Sequence, residues 1–289
     1  MSATRATPRL AATRPTPPKQ RAPRYAAAPS RTTRSIILVI TGVVFLIPIL
    51  SMLEFSLRQG QTGAHGFDHY AAIFTAGSAG TYDVLFQGIA NSIAICLVTV
   101  LIVLVLLLPT MILVEVKYPK LRGILEFVCI IPITIPSIVL VVGFIPVYSV
   151  VAGIFGSQPW TLGFAVGIIV LPYAYRPIAS NLAAVEVVTL SEAARALGAG
   201  WLQVLWRVIL PNLRPGILSA CFITIAVVLG EYTIASFLSQ NTFQTALVLV
   251  QHTDPYVAVI FAVFALIFAF ILLLVIGRLG ALGRSRSRA

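Results

Sequence analysis

The sequence predicts an all-α integral membrane protein of six transmembrane helices, with both termini on the cytoplasmic side. Three observations predict it. Of 289 residues, 58% are hydrophobic and only 10% are charged, too apolar for a surface that faces water. Six apolar runs, at 35–57, 88–114, 124–151, 160–180, 213–236 and 256–278, each exceed the roughly 20 residues a helix needs to cross about 30 Å of hydrocarbon. The connections between runs alternate in basic content, and 19 of the 20 Lys and Arg fall on one side. By the positive-inside rule that side is the cytoplasm. A net charge of +11 would suit nucleic acid, but the basic residues lie in short blocks between apolar runs. Membrane topology accounts for them, and no nucleic-acid partner is expected.

Residues 1–34 hold eight Lys or Arg, six Pro and no acid, a composition that cannot build a core. This basic arm is expected to be disordered in the cytoplasm and to touch anionic membrane lipids. A signal peptide needs a short apolar region followed by a small-residue cleavage site, whereas the first run continues from Ser35 to Leu57 and then enters "RQGQTGAHG", so it is read as a retained span. The outer connection, 58–87, contains "HGFDHYAAIF", where Phe67, Tyr70, Ala71 and Phe74 follow the i, i+3, i+4, i+7 spacing of one helical face. A short amphipathic helix along the outer membrane surface is expected there. His65, Asp68 and His69 lack a fourth ligand, and no metal is expected on them.

Several runs carry internal prolines: Pro48, Pro109, Pro132, Pro136, Pro146, Pro172 and Pro177. In lipid each proline frees a carbonyl that needs a partner, which favours helices enclosing a wet pathway over a simple anchor. The plainer reading is that prolines are commoner in membrane helices than in soluble ones. Cys96, Cys129 and Cys221 each lie inside an apolar run without CxxC pairing and read as buried small hydrophobes. Residues 279–289 form a basic cytoplasmic tail.

Between the fourth and fifth runs, on the cytoplasmic side, stands "SEAARALGAGWLQVLWRVILP", Ser191–Pro211. Thr189 and Glu192 have the T-x-x-E spacing of a capping box, so a helix is expected to start at Thr189. Ala193, Ala194 and Leu197 then give it a small, smooth face, and Gly198 supplies the left-handed backbone that ends a helix without Cβ strain. A second helix with Trp201, Leu205 and Val208 on one side runs to Leu210-Pro211. Such an insert serves equally as a lever for another protein's groove or as a connector packed beneath its own helices.

The stretch resembles the EAA motif of binding-protein-dependent ABC importer permeases: Glu-Ala-Ala, three residues, Gly, nine residues, Ile, one residue, Leu-Pro. Glu192, Ala193, Ala194, Gly198, Leu210 and Pro211 stand at those spacings, with Val208 in place of the isoleucine. The likeness extends over about residues 88–278, as a permease core containing the insert at 189–211. It implies a type I importer permease (MetI-like) fold in a bacterial inner membrane. The ATPase-coupling residues would be Glu192, Ala193, Ala194, Leu197, Gly198, Leu210 and Pro211, seated on a cytoplasmic ABC ATPase dimer that binds the ATP and Mg. The other implied partners are a second permease subunit, a paralogue or an identical chain, and an extracytoplasmic substrate-binding protein. This chain has no G-x-x-x-x-G-K-[S/T], and none of its three lysines follows a glycine. It therefore carries no phosphate cradle, and no cofactor or enzymatic activity of its own is expected.

A secondary transporter or channel would need ionisable groups deep in the membrane, whereas Glu54, Glu115, Glu126, Glu186 and Glu231 stand near the ends of runs. Glu126, four residues after Arg122, has the spacing of a local ion pair. An intramembrane enzyme is disfavoured by the lack of H-E-x-x-H and G-x-S-x-G. "LGEYTIASFLS", Leu229–Ser239, resembles the polyamine (spermidine/putrescine) branch of these permeases, although permeases for ferric iron, sulfate or phosphonate share parts of it. Glu231 and Tyr232 are the substrate-path candidates, because an ionised carboxylate in an otherwise uncharged run prefers a wet cavity to lipid. The competing reading is that Glu231 reaches interfacial water or caps a neighbouring helix.

Overall fold

A computed structural model of the chain describes residues 30–60, 64–76 and 82–285, with side chains up to residue 278. The arm at 1–29 and the last four residues of the tail lie outside the described residues. The chain divides into two units, up to Ile49 and from Leu50 onward.

Helix α1, Arg31–Leu57, crosses that division. It begins four residues before the first apolar run, because the Ser30 hydroxyl accepts the Thr33 N–H at 3.1 Å and caps it. From Ile36 to Ile49 its large apolar side chains are exposed.

Next come a two-stranded antiparallel hairpin, β1 (Arg58–Gln59) and β2 (Ala64–His65), and helix α2 (Asp68–Ala76). The hairpin has no alternating apolar pattern that would announce it. Helix α2 is where the aromatic spacing expects it, but it buries a different face. Ile73 is buried, whereas Phe67 and Phe74 are exposed. Tyr70 is the aromatic that turns inward, its hydroxyl 2.8 Å from that of Ser56. His65, Asp68 and His69 have separate partners: the Glu54 carboxylate, the Gln59 amide and the Tyr256 ring.

Helix α3, Asp83–Lys117, is the second crossing. Within it Val103–Leu107 widens to a π-turn, with the Leu108 N–H reaching back to the Val103 carbonyl. Pro109 follows directly, and a proline ring clashes with the carbonyl four residues before it. The wide turn relieves that clash without ending the helix.

The run at 124–151 is not one helix. It splits into α4 (Arg122–Thr134) and α5 (Ser137–Phe155), with Ile135 and Pro136 extended between them. Pro136 disfavours helical backbone at Ile135, which turns to φ −100°, ψ 126°. Arg122 pairs not with Glu126 but with Glu115 across the turn, Nη1 to Oε1 at 3.1 Å.

Helix α6, Pro159–Val185, is the organising element. Leu162, Val166, Val170, Ala174, Ile178 and Leu182 recur every fourth residue and are all buried, forming one continuous stripe. Helices α3, α4 and α5 pack around it, together with α9 (Arg214–Gly230). At the α6–α9 crossing, Gly216 is needed for close approach: a Cβ there would lie 2.6 Å from the Asn181 Cβ and 3.0 Å from the Pro177 carbonyl oxygen. Of the three cysteines, Cys96 and Cys129 are buried, while Cys221 on α9 is only half-buried.

The run at 213–236 ends as a helix at Gly230, after which α10 (Thr233–Phe237) is separate. The loop beyond it contains α11 (Phe243–Gln251), which packs on α3 and on the last helix, α12 (Pro255–Ser285). Its start is tied to α3 by the Asn91 amide donating to the Asn241 carbonyl (2.8 Å) and the Phe243 N–H donating to the Ser92 hydroxyl (2.9 Å). Five described helices are long and apolar enough to cross a membrane, and a sixth crossing results if Trp201–Asn212 and Arg214–Gly230, bent by 71°, count as one.

Candidate functional site

The insert begins where α6 ends. Glu186 adopts a left-handed backbone (φ 48°, ψ 54°), and its carbonyl already accepts the Leu190 N–H at 3.2 Å. Helix α7 therefore runs Val187–Ala196, and Thr189 lies inside it rather than capping it. The expected capping box does not form because the turn at Glu186 places the N-cap three residues before Thr189.

The end of α7 matches expectation. Gly198 has φ +87°, its N–H donates to the Arg195 carbonyl (2.9 Å), and the Ala199 N–H donates to the Ala194 carbonyl (3.1 Å). Together these close a Schellman motif, in which only glycine takes the left-handed position without Cβ strain.

The two faces of the insert differ. Val187 and Ser191 are buried, and Ala194 and Ala199 pack against the core. Glu192, Ala193 and Gly198 are exposed, and Leu197 is 90% exposed. A Cβ on Gly198 would meet nothing within 4 Å. The small face expected of Ala193, Ala194 and Leu197 is thus divided: Ala194 is held by the protein's own core, and Ala193 and Leu197 face outward.

Helix α8, Trp201–Asn212, returns beneath the core. Its inward residues are Val204 and Ile209, both buried, with Trp201, Leu205 and Leu210 packed beside them; Leu202 and Trp206 are exposed. Val204–Ile209 is a π-turn immediately ahead of Leu210-Pro211, the device seen before Pro109. The Lys117 ammonium sits 5.0 Å from the centre of the Trp201 ring, joining the end of α3 to the insert. Sequence reasoning missed this contact, since no local spacing links residues so far apart.

At the other end of the molecule, Glu231 and Tyr232 occupy the break between α9 and α10. Glu231 Oε1 accepts the Ile234 N–H at 2.8 Å, which caps α10, and Gln244 Nε2 donates to the Leu229 carbonyl at 3.0 Å. Glu231 is half-buried and Tyr232 is exposed. The two candidate groups do not come together into one site with the insert; they lie at opposite ends of α9, about 26 Å of helix apart.

The residues in both regions fall within a match to a known family. The family described as "Binding-protein-dependent transport system inner membrane component" matches residues 112–281. The spermidine/putrescine transport system permease protein PotB of Haemophilus influenzae is 25% identical over 227 residues, covering 71% of this chain and 76% of that protein.

Proposed function

Because this chain belongs to the binding-protein-dependent transport system inner membrane components, we propose that it forms half of the solute pathway of a bacterial ABC importer, coupled through α7 to a separate ATPase. The observation that carries the coupling is Leu197, 90% exposed at the tip of a helix whose other face is locked to the core. A large apolar side chain held out by a rigid turn gains most when a partner's groove covers it. Glu192, Ala193 and Gly198 surround it, and the open space around Gly198 admits close approach. Leu210, packed against the core beside Pro211, anchors the far end of α8, so force applied at Leu197 passes into α9 through a bent pair of helices.

The ATP and Mg belong to the ATPase dimer in this reading, a second permease subunit completes the pathway, and an extracytoplasmic binding protein delivers the solute. A polyamine is the proposed solute. Its support is the likeness to a spermidine/putrescine permease and the acids Glu54, Asp68, Asp83 and Asp254, set against Arg58 alone in the half expected to face outward, a field that draws cations. Glu231 and Tyr232 are the proposed contacts on its route.

Uptake of labelled putrescine and spermidine by cells carrying the whole transporter tests both parts. Wild type should accumulate both in an ATP-dependent way. Leu197→Asp should leave the chain in the membrane but lower uptake at least tenfold, and Glu231→Gln should reduce uptake of the cations. Undiminished uptake with Leu197→Asp would reduce the insert to a connector, and no uptake by wild type would remove the polyamine.

A further inference from the structure

The break between α4 and α5 is a further interruption in an apolar run, and its depth is fixed by its neighbours. Arg122, at the start of α4, lines a recess with Ala179 and Leu182 near one end of α6. Tyr148, on α5, has its hydroxyl 3.0 Å from that of Thr161 at the opposite end of α6. Ile135 is 13 residues from each, about 20 Å of chain in either direction. The break therefore lies close to the middle of the membrane layer that α6 crosses.

Backbone in this position has unmet needs. Pro136 has no N–H, so the Pro132 carbonyl loses its helical donor. Helix α5 opens without a capping side chain. Thr134 donates to the Ile131 carbonyl at 2.7 Å, while the Ser137 hydroxyl, at the first position of α5, has no hydrogen-bond partner among the described residues. Pro132 and Leu140 are buried, but every residue from Ile133 to Val139 is exposed. Irregular backbone at membrane depth is tolerated only where protein covers it or water reaches it, since each unsatisfied group costs several kcal/mol in hydrocarbon. The Glu231 break lies on the same side of the fold in one respect: α10, which Glu231 caps, packs against α5.

We propose that the Thr134–Ser137 break lines the water-filled solute route, with the Thr134 and Ser137 hydroxyls and the freed carbonyls facing the solute. The inference rests on the permease reading given above. It adds to that reading a second polar position on the route, nearer mid-membrane than Glu231. Carbonyl and hydroxyl oxygens without donors suit a solute rich in N–H groups, as a protonated amine is.

The test is thiol accessibility in the assembled transporter, in membrane vesicles, with Cys96, Cys129 and Cys221 replaced by alanine. Thr134→Cys and Ser137→Cys should react with a small charged methanethiosulfonate at least ten times faster than Leu106→Cys. Leu106 is exposed in the π-turn of α3, which widens without breaking the helix, and its carbonyl accepts the Thr110 hydroxyl at 2.6 Å. It stands one turn beyond Ile102, which packs on Gly167 of α6, so it samples apolar surroundings at a similar depth. Rates at both break positions no higher than at Leu106→Cys would overturn the proposal. If the alanine background fails to assemble, the same variants are made in the native chain, whose own thiols set the blank. Solute uptake is measured on the same vesicles, so loss of the permease reading registers separately from loss of labelling.

Discussion

Buried hydroxyls separate two kinds of threonine in the core. Thr99 is fully buried and its hydroxyl donates to the Gly163 carbonyl at 3.4 Å, whereas the equally buried Thr224 hydroxyl on α9 has no partner among the described residues. Removing an unpaired buried hydroxyl relieves a desolvation cost of about 1–3 kcal/mol, while removing a paired one loses about 1 kcal/mol. Thr224→Val should therefore raise the unfolding midpoint of the purified protein in detergent, and Thr99→Val should lower it. The opposite order would count against the packing described around α6. Tyr82 offers a pH-dependent case. Its hydroxyl donates to Asp254 Oδ2 at 3.0 Å, and burial, then the neighbouring carboxylate, push the phenol above its ordinary value. A raised folded value means this contribution is complete below the unfolded phenol's value near pH 10 and is lost as pH rises through the folded value. Tyr82→Phe should cost about 1 kcal/mol at neutral pH and flatten the alkaline loss of stability, read by melting curves between pH 8 and 11. Asp254 keeps its bonds to the Tyr256 and Val257 N–H groups in that variant, so no carboxylate is stranded.

Helices meet here through small residues and tolerate prolines through wide turns. The α6–α9 crossing depends on Gly216, whose N–H also donates to Asn181 Oδ1 at 3.3 Å. Gly216→Val would drive a branched side chain into the Asn181 Cβ and the Pro177 carbonyl, forcing α9 away from the buried stripe. Overpacking of this kind costs about 1–3 kcal/mol; Gly216→Val should lower the melting midpoint clearly, and Gly143→Val, with nothing within 4 Å of its Cβ, should not. Equal effects of the two would mean the crossing is looser than drawn. The two π-turns, each ahead of a proline, belong to the same scale. The prolines are legible in sequence, but whether a helix answers one by breaking, as at Pro136, or by widening, as before Pro109 and Pro211, depends on what surrounds it.

Across the whole molecule, the segments expected to share the outer side gather at one end of α3. Tyr70 meets Ser56 there, Tyr82 meets Asp254, and Asn91 meets Asn241, while Lys117 meets the insert at the other end. That grouping makes the orientation testable with two labels. In intact cells, Gln251→Cys should react with an impermeant thiol reagent and Ala196→Cys should not; both positions are exposed in the folded chain. The reverse pattern would invert the topology and detach α7 from any cytoplasmic ATPase.

The sequence by itself determined the all-α membrane class, the positions of the apolar runs, the insert and the glycine that ends its first helix. These follow from composition, from period, and from the one backbone conformation that glycine alone adopts freely, all of which are local. Tertiary structure decided the rest. It broke the third run at Pro136 and the fifth at Glu231, moved the start of α7 to Val187, and turned Ala194 inward while leaving Leu197 outside. It also gave Arg122 to Glu115 instead of Glu126 and set Lys117 on Trp201. Each of these depends on which distant backbone or ring stands alongside, and a one-dimensional pattern carries no record of neighbours that the chain reaches only by folding.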